Sequence, residues 1–390
     1  MKILMICNTD GALYIFRKPL IQRLLSAHQA VSSITGKANY VDKLSCLGVK
    51  ASVVNFEGNS VSVMGNARVF IQLHRLISAE KPDVVHNFTH KPGIYGTLAA
   101  RLAGVRKIFV TVTGLGALFS YDDITTRTLR FLLMTQYRIA LRFVTKVFFQ
   151  NPDDMNYFLG KKLVAPAKAM LTNGSGIDLA EFRVPIPDET SACRRMLGKE
   201  LGFDLNEKIV VIFPARALKE KGFHQFYEAA RIITARSDNY VFIHLGLAEN
   251  NAKFGITYQQ ISDCSKASGV FYFGFKDNIK DYFIASDIVT LPSSYREGVP
   301  RSLIEALALD KYVITTDTPG CRETVVEGWN GSFCKVGDAD DLASRISIID
   351  RAVLQEYKGR SRAHCENKFD VEKLIDITLQ SYFEPQASHG

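Results

Sequence analysis

Short β-branched apolar runs alternate along this chain with longer stretches in which apolar residues recur every three or four positions. Lys2–Cys7, Val31–Thr35, Ala51–Phe56, Asp83–Phe88, Ile108–Thr113 and Val147–Asn151 have the length and composition of buried strands. Between them Phe16–Ala27, Gly65–Ser78 and Gly93–Ala103 carry the helical period. Strands that are apolar throughout, each followed by a helix, predict a parallel sheet covered on both faces. The rhythm breaks at Asn173-Gly174-Ser175-Gly176 and at Pro185-Ile186-Pro187, which are turn and linker residues. A second cycle follows: Ile209–Pro214, Val241–Leu245, Val270–Phe273, Asp287–Leu291 and Tyr312–Thr316. The expectation is α/β throughout, with two doubly wound, Rossmann-like domains at 1–175 and 207–369 joined by a linker at 176–206. Ligands in such sheets bind beyond the carboxyl ends of the strands, and with two domains the cleft between them is the expected site. Ala387–Gly390 reads as a frayed end.

Length and composition fit this division. The 390 residues are 47% hydrophobic and 23% charged, which suits two globular domains and excludes disorder and fibrous repeats. Charge changes the picture more. The net charge is +8, but residues 1–185 carry 23 Lys/Arg against 11 Asp/Glu while the remainder is mildly acidic. A basic first half suits an anionic partner: nucleic acid, an acidic membrane surface or a phosphorylated acceptor. Seven dispersed cysteines without a Cys-x-x-Cys pair read as reduced thiols, with no metal site. The apolar run after Met1 is too short for a signal peptide, and no stretch is long enough to span a membrane.

The stretch Ile124–Val144 is apolar along much of its length yet holds Arg127, Arg130, Arg138 and Arg142 near one stripe. It is either a sheet-covering helix with a solvated cationic face or an interfacial helix meeting anionic headgroups.

Candidate chemistry clusters at strand ends. Arg296-Glu297-Gly298-Val299-Pro300-Arg301-Ser302-Leu303-Ile304-Glu305 follows a strand and opens a helix near Pro300. Its two carboxylates, Glu297 in the loop and Glu305 in the helix, can both face a ligand there. Gly298 allows close approach, Pro300 suits a first helical turn, and free N–H groups around Val299–Leu303 offer a phosphate cradle. A carboxylate offers two acceptors to the two donors of vicinal sugar hydroxyls. Arg216 and Lys221, in Ala215-Arg216-Ala217-Leu218-Lys219-Glu220-Lys221-Gly222, can converge on a diphosphate. In the first half, Gly11 follows the first strand, His90-Lys91 follow the fourth, and Thr113-Gly114-Leu115-Gly116 follow the fifth. Gly274, between Phe273 and Phe275, ends a strand where backbone groups can read a base edge. Nicotinamide and P-loop enzymes are disfavoured, because neither glycine fingerprint occurs.

Glu297-x7-Glu305, with Gly298-x-Pro300 inside it and Arg216-x4-Lys221 upstream, resembles the retaining nucleotide-sugar glycosyltransferases of family 4, which have the GT-B fold. The resemblance covers nearly the whole chain. His90-Lys91, Gly114-Leu115-Gly116 and Phe226-Tyr227-Glu228 look like the Pgl-type N-acetylgalactosaminyltransferases, which extend an undecaprenyl-diphosphate-linked sugar in bacterial glycan assembly. The resemblance implies that Glu305 holds the ribose of a UDP-sugar while Glu297 and the Gly298–Arg301 amides hold the donor sugar. It implies that Arg216 and Lys221 stabilise the departing diphosphate and that Gly11 lies under it. It implies no cofactor and no metal, the UDP-sugar being a co-substrate, and a helix at about 370–385 that packs back on the first domain. It places His90, Lys91, Thr113 and Gly114 near the acceptor or the transferred sugar, and the enzyme on the cytoplasmic face of the membrane. One departure stands out: many members carry a His or an acid where this chain has Thr113. Another UDP-sugar, a soluble acceptor, or a non-catalytic nucleotide-sugar-binding subunit are the alternatives; nucleic-acid binding has no accompanying aromatic platform or recognition helix.

Overall fold

The computed structural model describes residues 1–36, 39–56, 63–119, 121–250 and 255–384. The frayed end expected at 387–390 lies outside them. The chain forms two compact units, Met1–Gly176 with Val371–Gly390, and Ile177–Asp370.

In the first unit seven parallel strands run β1 (Lys2–Cys7), β2 (Ala30–Thr35), β3 (Lys50–Val53), β4 (Val84–Phe88), β5 (Lys107–Val112), β6 (Lys146–Phe149) and β7 (Ala169–Leu171). Their order in the sheet is β3-β2-β1-β4-β5-β6-β7. The central strands are buried on both faces, which explains why they read as unbroken apolar runs. The first helix, Asp10–Ser26, starts well before the apolar period does, because the Thr9 side chain accepts from Ala12 N and caps it. The helix expected at 93–103 opens with a π-helical turn, Pro92–Gly96, before Thr97–Leu102.

Helix Val371–Phe383 belongs to this unit. Tyr382 is fully buried against His86 and Phe109, its hydroxyl 2.5 Å from His86 Nδ1. The other ring nitrogen of His86 lies 2.7 Å from Thr111 Oγ1. Lys107 Nζ donates to the Tyr382 and Glu384 carbonyls, which satisfies groups left open at the helix end.

In the second unit six parallel strands, β8 (Ile209–Pro214), β9 (Tyr240–Leu245), β10 (Phe271–Gly274), β11 (Ile288–Leu291), β12 (Tyr312–Thr316) and β13 (Gly331–Cys334), lie in the order β10-β9-β8-β11-β12-β13. The strand order reverses direction at β8, so β8 and β11 are neighbours and their carboxyl ends meet. The 176–206 stretch is more than a linker. It holds helix Pro187–Leu201, with Pro187 at its first position and Glu189 bonding back to the Ile186 N–H.

Two strands escape the sequence pattern, β7 and β13. Both are short sheet edges, each paired with one neighbour only, and β13 begins at a glycine.

Candidate active site

The clearest constellation lies where β8 and β11 end side by side. The β8 loop turns through Lys219–Lys221 and enters helix Phe223–Thr234 at Gly222. Gly222 has φ +87°, and a Cβ there would lie 2.3 Å from the Pro292 carbonyl oxygen at the end of β11. Only glycine lets the two loops approach so closely. They are then stitched together: the Glu220 carbonyl accepts from Ser294 N at 2.8 Å and from Ser293 Oγ at 3.1 Å. The contact brings the Lys221 ammonium onto the Glu297 carboxylate, 76 residues away in sequence. Ser293 Oγ also lies 3.3 Å from the same carboxylate oxygen, so its one proton is shared between Glu297 and the Glu220 carbonyl, and Lys221 Nζ sits 5.4 Å from the Tyr295 ring centroid. From the other side Gly320, at φ +83°, packs its bare Cα on the backbone of Glu297 and Gly298.

Helix Arg301–Ala308 begins one residue later than expected, with Pro300 as the flanking residue and Val299 buried beneath it. Its N-terminus is not an open cradle throughout, since the Leu303 N–H bonds the Pro300 carbonyl at 3.1 Å. Glu305 faces back along the helix to Arg301, Oε1 to Nε at 2.9 Å. Burial pushes the Glu305 carboxyl above its ordinary pKa, and the Arg301 guanidinium opposes that shift.

Arg216 does not share the Lys221 carboxylate. It remains largely exposed and pairs with Glu249 at 2.9 Å. Sequence reasoning missed Glu249, which follows the β9 end. It also missed His244, visible as one polar residue in an apolar strand. His244 is fully buried, with Nδ1 3.0 Å from the Tyr227 hydroxyl and Nε2 2.9 Å from the Ala215 carbonyl. Burial lowers its pKa to about 4, so a neutral ring anchors the turn that carries Arg216. Gly274 ends β10, two strands from β8, at φ +67°, and its carbonyl accepts from Gly246 N at 2.9 Å. Its flanking aromatics divide: Phe273 packs on the core while Phe275 is exposed.

In the first unit the expected residues are less open. Gly11 lies under the Tyr40 ring, two of whose carbons come within 3.3 Å of where a Cβ would be. The Asp10 carboxylate holds this arrangement by accepting from the N–H groups of Gly11 and Tyr40. Lys91 reaches the Phe56 carbonyl at 3.4 Å. Thr113 follows β5 directly, and Gly114 and Gly116 take φ +111° and +71° around buried Leu115. His90, expected near the acceptor or the transferred sugar, is half-buried and has its ring engaged. Nδ1 is 2.8 Å from the Tyr137 hydroxyl.

The basic helix spans Ile124–Ala140 with a further turn at Leu141–Phe143. Its outer face carries Ile124 (83% exposed), Phe131 (70%), Leu132 and Ile139, flanked by Arg127, Arg138 and Arg142. Arg130 does not belong to that face. It turns inward, donates to the Leu118 and Tyr121 carbonyls, and lies 5.1 Å from the Phe119 ring. Arg127 pairs with Asp122 and Arg138 donates to the Lys161 carbonyl.

A cavity of about 190 Å³ at the amino ends of β11 and β12 is lined by Lys311, Asp287, Asp310 and Arg351. These groups answer one another: Lys311 donates to two carbonyls, and Asp287 accepts from Arg194, Arg351 and Val210 N. We assign that network to structure. Among the described residues no group of three or more His, Cys, Asp or Glu is arranged to hold a metal. No described helix is long and apolar enough to cross a membrane.

Known proteins share both halves. Residues 2–151 match the family model described as glycosyl transferase 4-like, and residues 199–362 match that of the glycosyl transferases group 1. The N,N'-diacetylbacillosaminyl-diphospho-undecaprenol alpha-1,3-N-acetylgalactosaminyltransferase of Campylobacter jejuni is 28% identical over 90% of this chain and 89% of its own. The UDP-Gal:alpha-D-GlcNAc-diphosphoundecaprenol alpha-1,3-galactosyltransferase of Escherichia coli is 24% identical over 86% and 84%. Among solved structures, Anabaena HepE in complex with UDP and glucose aligns with TM-score 0.75 at 18% identity, covering 97% of this chain and 98% of that one. A glycosyltransferase from Rickettsia africae aligns with TM-score 0.78 at 18% identity, covering 98% and 97%. Two family models in this order, each over its own parallel-sheet unit, make the chain a family 4 glycosyltransferase with the GT-B fold.

Proposed function

We propose that this glycosyltransferase moves N-acetylgalactosamine from UDP to an undecaprenyl-diphosphate-linked sugar, with retention of anomeric configuration and without a metal ion or other cofactor. The observation that carries the reading is the meeting of Lys221 and Glu297 at adjacent strand ends, with Glu305 one helix away. In this reading Glu305 holds the ribose hydroxyls, while Glu297 and the backbone from Gly298 through Val299 and Pro300 to Arg301 hold the sugar. Arg216 and Lys221 neutralise the departing diphosphate, a role that a fixed cation fills without a metal. At rest each cation leans on a carboxylate, Glu249 or Glu297, which keeps it aimed until phosphate oxygens replace that partner. Gly274 lies by the base.

The first unit receives the acceptor near Thr113 and Gly114, with Lys91 offering charge to the acceptor diphosphate. Thr113 cannot serve as a base, and in a front-face reaction the leaving phosphate oxygen takes the acceptor proton. The names of the Campylobacter and Escherichia relatives support a diphosphoundecaprenol acceptor, and the former supports N-acetylgalactosamine. The exposed Ile124–Phe131–Leu132–Ile139 face, edged by arginines in a basic unit, supports peripheral binding to the anionic cytoplasmic face of the membrane. Nucleic acid has no part in this reading.

The test is UDP release in EDTA with a panel of UDP-sugars, with and without an undecaprenyl-diphosphate-linked monosaccharide. Acceptor-dependent release with UDP-N-acetylgalactosamine is expected. Release with another donor alone would correct the sugar, and UDP binding with no release under any pairing would overturn the transfer.

A further inference from the structure

His244 stands in strand β9 among Tyr240, Val241, Phe242, Ile243 and Leu245, and it is fully buried. A buried imidazole is costly unless both ring nitrogens are bonded, and here both are. Nε2 lies 2.9 Å from the Ala215 carbonyl and Nδ1 3.0 Å from the Tyr227 hydroxyl. A carbonyl only accepts, so the ring proton is on Nε2, Nδ1 is bare, and the Tyr227 hydroxyl donates to it. Aromatic rings hold the plane of the imidazole: its centroid is 4.9 Å from that of Phe213 and 5.1 Å from that of Tyr272.

The Ala215 carbonyl sits where the chain leaves the sheet. Pro214 is the last residue of β8 in register with β9, and beyond it the backbone turns through Arg216. Both neighbours of Arg216 are tied to β9 and the loop after it. The Ala217 N–H donates to the Leu247 carbonyl at 2.9 Å, and the Ala217 carbonyl accepts from Ile256 N at 2.9 Å. Those are backbone bonds and ask nothing of the side chains. On the other flank the tie is the His244 ring. Gly246 leaves the space for it, since a Cβ there would lie 1.9 Å from the Ala215 oxygen. The Arg216 side chain itself is 58% exposed and meets Glu249 at its tip, so its direction depends on the turn beneath it.

We propose that His244 is a positioning residue for the transfer: through the Ala215 carbonyl it sets the turn that aims Arg216 at the departing diphosphate, and Tyr227 fixes the tautomer that does so. The proposal rests on the reading of Arg216 as a cation that neutralises that diphosphate. An apolar residue would fill the same core but leave a buried carbonyl without this donor, and the turn would shift to find another. A shifted guanidinium loses hold on charge that develops in the reaction, while the donor still binds through Glu305 and the 297–301 segment.

His244→Leu and Tyr227→Phe are each made in the full chain, alone and with Arg216→Met, and kcat and KM are measured with the donor and acceptor of the release assay. Urea midpoints show which variants are folded. His244→Leu should lower kcat about ten- to a hundred-fold while KM for the UDP-sugar changes little. Tyr227→Phe should lower it about three-fold, and His244→Gln, whose amide can donate to the carbonyl, should recover most of the His244→Leu loss. On the Arg216→Met background neither His244→Leu nor Tyr227→Phe should lower kcat further, because the route to the reaction is already gone. In wild type labelled at histidine nitrogen, magnetic resonance should place the His244 ring proton on Nε2. A proton on Nδ1 overturns the assigned hydrogen bonds and the proposal with them. Equal fold-losses in the two backgrounds mark a merely structural residue and also overturn it. If His244→Leu does not fold, the same comparison with Tyr227→Phe decides. Arg216→Met with wild-type kcat overturns the diphosphate reading and the proposal together, whereas a large Arg216→Met loss beside wild-type kcat in folded His244→Leu overturns the proposal alone.

Discussion

Glu305 Oε1 lies 2.9 Å from Arg301 Nε, one turn back on a helix that starts at the end of the β11 loop. The pair is mostly buried, and Arg301 also faces the Phe182 ring at 5.7 Å. A carboxylate kept partly desolvated and oriented from one side has its other oxygen available to two hydroxyl donors. Glu305→Ala is expected to weaken UDP affinity about ten- to a hundred-fold, the loss of one or two hydrogen bonds to a charged group. Isothermal titration with UDP checks it, and unchanged affinity would remove Glu305 from the ribose.

Lys221 and Glu297 make a different prediction, because the cation is asked to act on charge that develops as the diphosphate leaves. Lys221→Met should lower kcat by about a hundred- to a thousand-fold while KM for the UDP-sugar moves much less. A change confined to KM would reduce Lys221 to a ground-state contact.

Two glycines share a backbone conformation and differ in their surroundings. Gly222 (φ +87°) abuts the Pro292 carbonyl, whereas Gly202 (φ +84°) caps helix Pro187–Leu201 with nothing within 4 Å of a built Cβ. Gly202→Ala should cost about 1 kcal/mol, the price of the left-handed conformation alone. Gly222→Ala adds a steric clash and should cost at least about 2–3 kcal/mol, with the loss of the Lys221–Glu297 contact. Urea unfolding of both variants measures the difference; equal losses would mean the two loops do not need their close approach.

Acid should unfold this protein through histidines that the fold holds neutral. His90 and His244 are each lowered to about 4 by burial, and His86 is lowered well below its ordinary value for the same reason. Unfolded, each takes a proton near pH 6.5 while the native ring does not. Stability is therefore fullest above pH 6.5 and falls as pH drops from there toward 4, by up to about 1.4 kcal/mol per pH unit per ring. Urea midpoints measured at intervals between pH 7.5 and 4.5 should fall steeply, and His90→Gln with His244→Gln should flatten the slope. A flat wild-type profile would show that these rings titrate normally.

Much of the architecture was legible beforehand. The interior strands β1, β8 and β12 coincide with their apolar runs, because a strand buried on both faces needs no partner to be recognised. The edges β7 and β13 were not legible, since Ala169–Leu171 is three residues long and Gly331–Cys334 opens Gly-Ser and holds no β-branched residue, whereas the edges β3 and β10 were read from longer apolar runs. At the site, Glu297, Glu305, Arg216 and Lys221 stood out by spacing. Their partners did not: Glu249 and His244 follow or occupy β9, and they meet the β8 loop only because β9 lies next to β8.

Arg130 and His90 mark the boundary between the two kinds of information. Arg130 was read from local spacing as part of an outward-facing stripe and His90 as a contact of the acceptor or the transferred sugar; the fold turns Arg130 to the Leu118 and Tyr121 carbonyls and sets His90 against the Tyr137 hydroxyl. The sequence by itself determined the two parallel α/β units, the loops that carry chemistry and the family, because periodicity and motif spacing are local properties of the chain. The tertiary structure decided which carboxylate faces which cation, which histidines are neutral anchors and which arginines remain on the surface. Those outcomes depend on strand order and on the carbonyls a fold leaves unsatisfied, and a buried polar group turns toward whichever of them its neighbours supply.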